Sequence, residues 1–458
     1  MSTVGESTYS DAKSSHILRA DSMSNTETFN FPVVTVGDLE DILRVMMKIE
    51  FEDVANNGKT DKNGKKFETR IPAPVLALGK AGIGKTEMFR GLAKDLGIGF
   101  KEIRLVNYTE TDLVGLPYRN NDNMTSHAAN DLFPIPERDG DKGILLVDEF
   151  TSATRQVQVP ILQLTDVSRS IGSYKLPDGW KIIIAGNGPS DGGTFNDLPG
   201  TVISRSSCYY VVPAAEAWLD WATKHNIHPY VRAFVSKTPA AIHGYVADED
   251  YDRAFPCPRA WTNLSKELYD YDRAVAANNG DNMPSVVTCL VASYVGRKMA
   301  VDFLDFISYR SQMVEPRDIL RNGEKCQRHI YDLNANALWL TLSFLAADVK
   351  RLVDAACTKA YATLPEADHG DSVKIFTEAK FAPNLVNAFR WITEKPPKGS
   401  TVNSVSDIVA WGITSLVGHN SLVNQFATSK YMRDKETGCP AVIEWLSYSS
   451  SVINKVGD

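Results

Sequence analysis

The residues from Gly79 to Thr86, Gly-x-x-x-x-Gly-Lys-Thr, have the types and spacing of a phosphate cradle. Glycines let backbone N–H groups turn inward onto phosphate oxygens, and a helix starting there adds its positive dipole end. Lys85 is expected to reach the β- and γ-phosphates of a nucleotide, and the Thr86 hydroxyl to ligate Mg2+. The expected nucleotide contacts run over Gly79, Lys80, Ala81, Gly82, Ile83, Gly84, Lys85, Thr86 and Glu87. A second point of chemistry closes the run GILLVDEF, where four apolar residues end in Asp148-Glu149. A strand ending in two carboxylates says little alone. Downstream of a phosphate cradle, it predicts that Asp148 holds the Mg2+ shell, directly or through water, and that Glu149 polarises an attacking water. The third is Asn187, at the end of WKIIIAGNG. Its amide can hydrogen-bond a γ-phosphate or the lytic water, or cap the following turn. ATP and Mg2+ are the cofactors this set implies.

These side chains need elements to carry them. VLAL reads as a buried strand before the glycines, and TEMFRGLAKDLG as a helix after them. That helix has Met88, Phe89, Leu92, Ala93 and Leu96 on one face and stops at Gly97. KEIRLV (101–106) and KIIIA read as further strands, and the strand bearing Asp148 as a buried parallel one. Upstream, Thr35-x-x-Asp38 has the form of a capping box, followed by a helical stripe of Leu39, Ile42, Leu43 and Met46. Residues 56–66 and 119–142 are polar and loop-like. Residues 1–30 are rich in Ser and Thr, with no apolar run for a secretory signal and one arginine, and read as a flexible tail.

The bounds agree with a multi-domain globular chain. At 458 residues it exceeds one ordinary core. With 43% hydrophobic and 23% charged residues its composition is that of a soluble protein. The net charge of −7 argues against a generally basic nucleic-acid-binding surface. The cysteines, at 208, 257, 289, 326, 357 and 439, include no C-x-x-C pair and read as reduced thiols of a cytoplasmic protein. No apolar run reaches the length of a membrane span.

Taken together, the Gly79–Thr86 loop, DEF and the strand ending at Asn187 resemble the Walker A, Walker B and sensor 1 set of AAA+ ATPases. The text between and after them resembles the MoxR branch of that superfamily: DEFTSATRQVQVPILQLTDVSRSIGSYKLPDGWKIIIAGNG, TDLVGLP, WLDWATKHNIHP and FPCPRAWTNLS. The resemblance covers about 33–325. It implies an α/β fold: a P-loop AAA+ core with a parallel sheet (31–213) and an α-helical lid (214–325). Beyond the resemblance, helical patterning without strand signals reads as an additional α-helical C-terminal domain (326–458). The resemblance implies a chaperone-like ATP hydrolase working as a homo-hexamer with sites at subunit interfaces. Its partner would be a client protein, in some relatives one bearing a von Willebrand factor A domain. A nucleic-acid-linked motor or loader is the other reading of such a core.

The resemblance also implies roles for further residues. TDLVGLPYRN with the polar loop after it, and RSIGSYKLPDGW, are similar to the family's two inserts towards the pore or a partner. In LPGTVISRSS, Arg205 takes the place of the arginine finger that stabilises the phosphoryl group across a subunit boundary; Ser206 stands where the family has an aromatic. A surface arginine is the other reading. In CPRAW, Arg259 takes the place of the sensor 2 arginine.

Beyond the core, 218–222, 230–235 and 286–307 read as helices, the last too apolar for an exposed one. His225 and His228 could share a metal, but no third ligand is near in sequence. A strong helical pattern covers 334–353, and 404–417, 420–432 and 440–453 add three more. Trp339, Trp391, Trp411 and Trp445 read as core or interface aromatics.

Overall fold

The structure, a computed structural model, describes residues 31–57, 59–60, 71–128, 130–189, 191, 195–244, 254–277 and 284–358, with 384, 387, 388 and 391. The expected tail 1–30, most of loop 56–66, the three last helices, Trp411 and Trp445 lie outside these residues.

In chain order, β1 (Val33–Thr35) leads into α1 (Val36–Asn56), and β2 (Val75–Gly79) into α2 (Lys85–Leu96). Next come β3 (Gly99–Arg104), α3 (Glu110–Val114) and a hairpin of β4 (Pro117–Arg119) and β5 (Thr125–His127). Then follow α4 (Pro136–Asp139), β6 (Gly143–Asp148), α5 (Arg155–Leu164) and a second hairpin, β7 (Ser170–Ile171) and β8 (Tyr174–Lys175). The first half ends with β9 (Trp180–Gly186), α6 (Gly200–Arg205) and β10 (Ser207–Val212). The described remainder is helical: α7 (Ala215–Lys224), α8 (Pro229–Lys237), α9 (Pro258–Ala277), α10 (Pro284–Val295), α11 (Arg297–Ser308), α12 (Pro316–Asp332) and α13 (Ala335–Thr358).

Six strands form one sheet in the order β1-β10-β2-β9-β6-β3, and every neighbouring pair is parallel. The reason lies in the strand sequences. Both faces are covered, so the central strands are apolar throughout and alternate residues feed opposite cores. Val75, Ala77, Ile144, Leu146, Ile183 and Ala185 meet Leu39, Leu43, Phe89 and Leu92 of α1 and α2. Leu76, Leu78, Leu145, Val147, Ile182 and Ile184 meet Phe133, Phe150, Ile161 and Leu164 on the other face. Each such buried aliphatic contributes roughly 1.5–3 kcal/mol relative to exposure. Parallel strands end together on one edge. Because β2, β9 and β6 are adjacent, Gly79, Asn187 and Asp148 arrive at that edge side by side.

Local chemistry fixes the elements. The Thr35 hydroxyl accepts from the Asp38 N–H at 3.1 Å, and Asp38 Oδ2 accepts from the Thr35 N–H at 3.0 Å, completing the expected capping box of α1. At the opposite edge of the sheet Lys181 donates to both Glu50 oxygens at 2.8 Å, with both side chains buried, tying α1 to β9.

Several elements differ from the sequence expectation. In α1 the core face carries Met47, with Met46 at its margin, because Leu39, Leu43 and Met47 keep a spacing of one helical turn against the sheet. β3 begins at Gly99 in register with Gly143, where the buried Trp180 indole crosses both; a Cβ on either glycine would come within 2.8 Å of that ring. Residues 119–142 hold β5 and α4, and Tyr174 of β8 donates to the Pro134 carbonyl at 2.7 Å, pinning the stretch to the second hairpin. The expected helix 286–307 is two, α10 and α11. Gly296 between them has φ +79°, and a Cβ there would lie 2.4 Å from the Ala254 carbonyl oxygen.

The helices from α7 to α13 share one hydrophobic core, in which Trp261 and Phe303 meet Ile319, Leu320 and Leu345, and α13 lies along α8. Residue 325, where the sequence reading ends the lid, falls within α12. Trp339 and Trp391 are buried in this core.

Candidate functional site

The loop between β2 and α2 is shaped by glycine. Gly84, the residue before α2, has φ +100° and ψ 12°, and Gly82 has φ +77°, conformations that L side chains rarely adopt. The turn leaves the first N–H groups of α2 directed at the strand edge. Ile83 is buried in the core under α1 and α2, so only its backbone faces the turn, and Glu87 points outward beside Arg90.

Lys85 is 8% exposed. Its ammonium donates to the Lys80 carbonyl at 3.0 Å and to the Gly79 carbonyl. Burial pushes its pKa down to about 8, against the opposing pull of Asp148, Asp191 and Glu149. The Thr86 hydroxyl donates to Asp148 Oδ2 at 2.7 Å, joining the start of α2 to the end of β6. Asp148 Oδ1 accepts from the Glu149 N–H at 2.9 Å. Mg2+ keeps several waters and binds through one or two protein oxygens together with substrate phosphates. A hydroxyl and a carboxylate already in contact are a donor set of that kind.

Glu149 sits at φ 57°, ψ 29°, a left-handed conformation for a non-glycine residue that costs of order 1 kcal/mol. The strain is retained where the strand must turn sharply to present a carboxylate. Ser152 Oγ donates to Glu149 Oε2 at 3.1 Å.

Asn187 follows β9 directly and is held by a residue the sequence reading passed over. The fully buried Thr151 hydroxyl donates to the Asn187 carbonyl and accepts from the Asn187 N–H, both at 3.0 Å. A Cβ at the preceding Gly186 would lie 2.5 Å from that hydroxyl. The turn beyond is fixed by Asp191, also passed over. Its carboxylate accepts from the Gly188 N–H at 2.6 Å and from the Tyr210 hydroxyl of β10. The sequence signals were faint: a Thr just past DEF, and an Asp three residues after Gly188, the spacing of a side chain closing its own turn.

Arg259 lies in the first turn of α9, and its N–H donates to the Gly82 carbonyl at 3.0 Å. Its charge acts on Lys85. The helical half therefore rests directly on the phosphate-type loop. Arg205 does not join this group. Its guanidinium sits at the C-terminal end of α5, 3.5 Å from the Leu162 carbonyl and 3.7 Å from Asp166, with the side chain 37% exposed.

The two histidines do not form a metal site. His228 is buried, with Nε2 3.0 Å from Asp272 and Nδ1 accepting from the Tyr230 N–H, and burial pushes its pKa down. His225 stacks on Trp221. Among the described residues no three His, Cys, Asp or Glu gather around one point.

No protein-family model matches the chain. Over 80 residues it is 35% identical to the ATPase subunit HslU of an ATP-dependent protease from several Campylobacter jejuni strains. That stretch is 18% of this chain, and the chain spans only 18% of the length of those relatives. A solved structure of a mutant RuvB from Thermotoga maritima superposes over 69% of this chain and 85% of its own, with 12% identity and a TM-score of 0.32. A likeness of that degree settles nothing about this chain.

Proposed function

We propose that the chain is an ATP-hydrolysing AAA+ ATPase of MoxR type, which couples turnover to remodelling or maturation of a protein partner. The single observation that carries the ATPase reading is the 2.7 Å hydrogen bond from Thr86 to Asp148. It brings together the two segments that hold phosphate and metal in this chemistry, with Asn187 held beside them through Thr151. The similarity to HslU, a protein named as an ATPase subunit, supports the same reading. The MoxR assignment is supported by the sequence resemblance over about 33–325.

In this reading the N–H groups of 80–86 and the Lys85 ammonium hold the phosphates, while Thr86 and Asp148 hold Mg2+. The bound ion supplies fixed positive charge against the phosphate oxygens. Glu149 accepts a hydrogen bond from the attacking water and draws off its proton. Asn187 orients that water or the γ-phosphate. Arg259 meets the phosphates from α9 in the same subunit. Arg205 is exposed and lies apart from this group, which suits a residue that completes a neighbour's site in a ring.

Lys85→Ala is expected to abolish nucleotide binding, and Glu149→Gln to bind ATP without turning it over. Arg205→Ala is expected to lower turnover with little change in affinity. Mixed rings of Glu149→Gln and Arg205→Ala subunits should regain activity at sites where an intact Glu149 meets an intact Arg205. No recovery at any mixing ratio would refute the shared site. ATPase assays with and without DNA separate this reading from a nucleic-acid motor, which the net charge of −7 disfavours.

A further inference from the structure

Parallel register lines up one row of residues across the sheet: Val33 of β1, Tyr210 of β10, Leu78 of β2 and Gly186 of β9. Tyr210 and Gly186 are thus two strand spacings apart, roughly 9–10 Å. Paired residues share a face, and Tyr210 and Leu78 lie in the same core as Phe150 and Ile184. From that row the half-buried Tyr210 ring reaches the turn beyond β9. A Cβ on Gly188 would lie 2.9 Å from Tyr210 Cε2 and 2.8 Å from Asp191 Oδ2, so residue 188 has no room for a side chain. The Tyr210 hydroxyl donates to Asp191 Oδ1, and Asp191 Oδ2 accepts from the Gly188 N–H at 2.6 Å. Asp191 is 3% exposed.

These contacts converge on one peptide unit. The carbonyl of the Asn187–Gly188 peptide accepts from the Thr151 hydroxyl at 3.0 Å, and its N–H donates to Asp191. A peptide is planar, so a grip on both its groups fixes the plane, and with it the backbone angle that aims the Asn187 side chain. Thr151 comes from the segment after β6, and Asp191 is held in turn from β10. We propose that Tyr210 is a positioning residue for ATP hydrolysis: acting through Asp191, it sets the plane of the Asn187–Gly188 peptide and so the direction of the Asn187 amide at the γ-phosphate. The proposal rests on the ATPase reading of the site.

A hydroxyl bonded to a carboxylate is the strong kind of hydrogen bond, and this one persists across the working pH range. Burial first, and then Asp191 itself, push the Tyr210 pKa up, so the phenol remains a donor. Without the hydroxyl, Asp191 Oδ1 loses its partner and the carboxylate is free to turn away from Gly188. The loop 79–86 grips the phosphates independently of this turn. Loss of the Tyr210 hydroxyl therefore acts on turnover and spares nucleotide affinity. Misplacement by about 1 Å of a group that orients the reacting atoms costs up to ~100-fold in rate.

The test is a double-mutant cycle on the full chain: Tyr210→Phe, which keeps the ring and its packing, Asp191→Ala, and both together. Turnover is measured with Mg2+ and ATP, and affinity with a fluorescent ADP analogue. Tyr210→Phe is expected to lower kcat by ~10–100-fold with the analogue Kd changed less than ~2-fold. Asp191→Ala should lower kcat at least as much. Because Tyr210 acts only through Asp191, adding Tyr210→Phe to Asp191→Ala should lower kcat no further. Should Asp191→Ala fail to fold, Asp191→Asn takes its place, with the same absence of a further effect expected. A Tyr210→Phe kcat within ~2-fold of wild type overturns the proposal. So do kcat and affinity falling together, or kcat losses that multiply in the double variant; each leaves the ATPase reading intact. A wild type that neither binds the analogue nor turns over ATP overturns the ATPase reading, and this proposal with it.

Discussion

Lys85 allows a prediction with opposite signs for the fold and the ligand. Its pKa is about 8 in the folded chain because burial disfavours the ammonium. On that value the side chain is about 90% charged at pH 7 and about 10% charged at pH 9. Phosphates in contact with it restore the ordinary value near ~10.4, so the bound lysine stays charged across this range. Linkage then weakens nucleotide binding about tenfold between pH 7 and pH 9, about 1.4 kcal/mol. Stability runs the other way. The folded pKa lies below the unfolded one, so between roughly pH 8 and 10.4 the unfolded chain holds a proton the folded chain lacks, and the fold gains stability as pH rises. The gain through this one group is of order 3 kcal/mol. The affinity arm is measured with a fluorescent ADP analogue and Mg2+, comparing wild type with Lys85→Arg, whose guanidinium does not titrate in this range. The stability arm is chemical denaturation of wild type against Lys85→Met at each pH. A wild-type Kd flat from pH 7 to 9, or a fall in affinity shared equally by Lys85→Arg, would show that the burial and charge assigned to this lysine are wrong.

Thr151→Val removes the hydroxyl that holds both backbone groups of Asn187. It should cost about 1–3 kcal/mol in denaturation and lower turnover at least ~10-fold through misplacement, with nucleotide Kd changed less than ~3-fold. Equal loss of affinity and turnover would point to general collapse of the site instead. Glu50→Gln removes the buried carboxylate to which Lys181 donates and should cost about 3–5 kcal/mol in urea. Glu50→Leu with Lys181→Met should recover most of that loss, and no recovery would mean the pair is more than a matched charge. Gly143→Val puts a side chain into the Trp180 ring and should lower stability by about 1–3 kcal/mol or more, read as a lower Tm. An unchanged Tm would mean the indole can move aside.

The glycines, lysine, carboxylates and amide that meet at the strand edge were legible as a group because each lies at a junction with its own local signature. Gly79–Thr86 combines glycines with a lysine between an apolar run and an amphipathic one, and Asp148 and Asn187 each end a run of apolar β-formers. The capping box at Thr35 was legible for the same reason: both partners lie within one helical turn. Thr151 and Asp191 were not, because a buried hydroxyl or carboxylate shows its purpose only through partners on other strands. The break at Gly296 was hidden because apolar residues recur at helical spacing both before it and beyond Arg297 and Lys298, and its cause, the Ala254 carbonyl, is distant in sequence.

The sequence alone indicated the central strands β2, β6 and β9 and the helices α1 and α2, and which of their ends carry glycines, carboxylates and an amide, since periodicity and turn chemistry are local properties; it passed over β1, β10 and the elements within 119–142. Tertiary structure decided the rest. Only the parallel order β2-β9-β6 puts Lys85, Thr86, Asp148 and Asn187 on one edge, and only packing turns Lys85 from an ordinary ammonium into one with a pKa of about 8. The same is true of Arg205 at Asp166. A residue's partners and its dielectric surroundings are set by chain segments far away in sequence, and no local pattern encodes them.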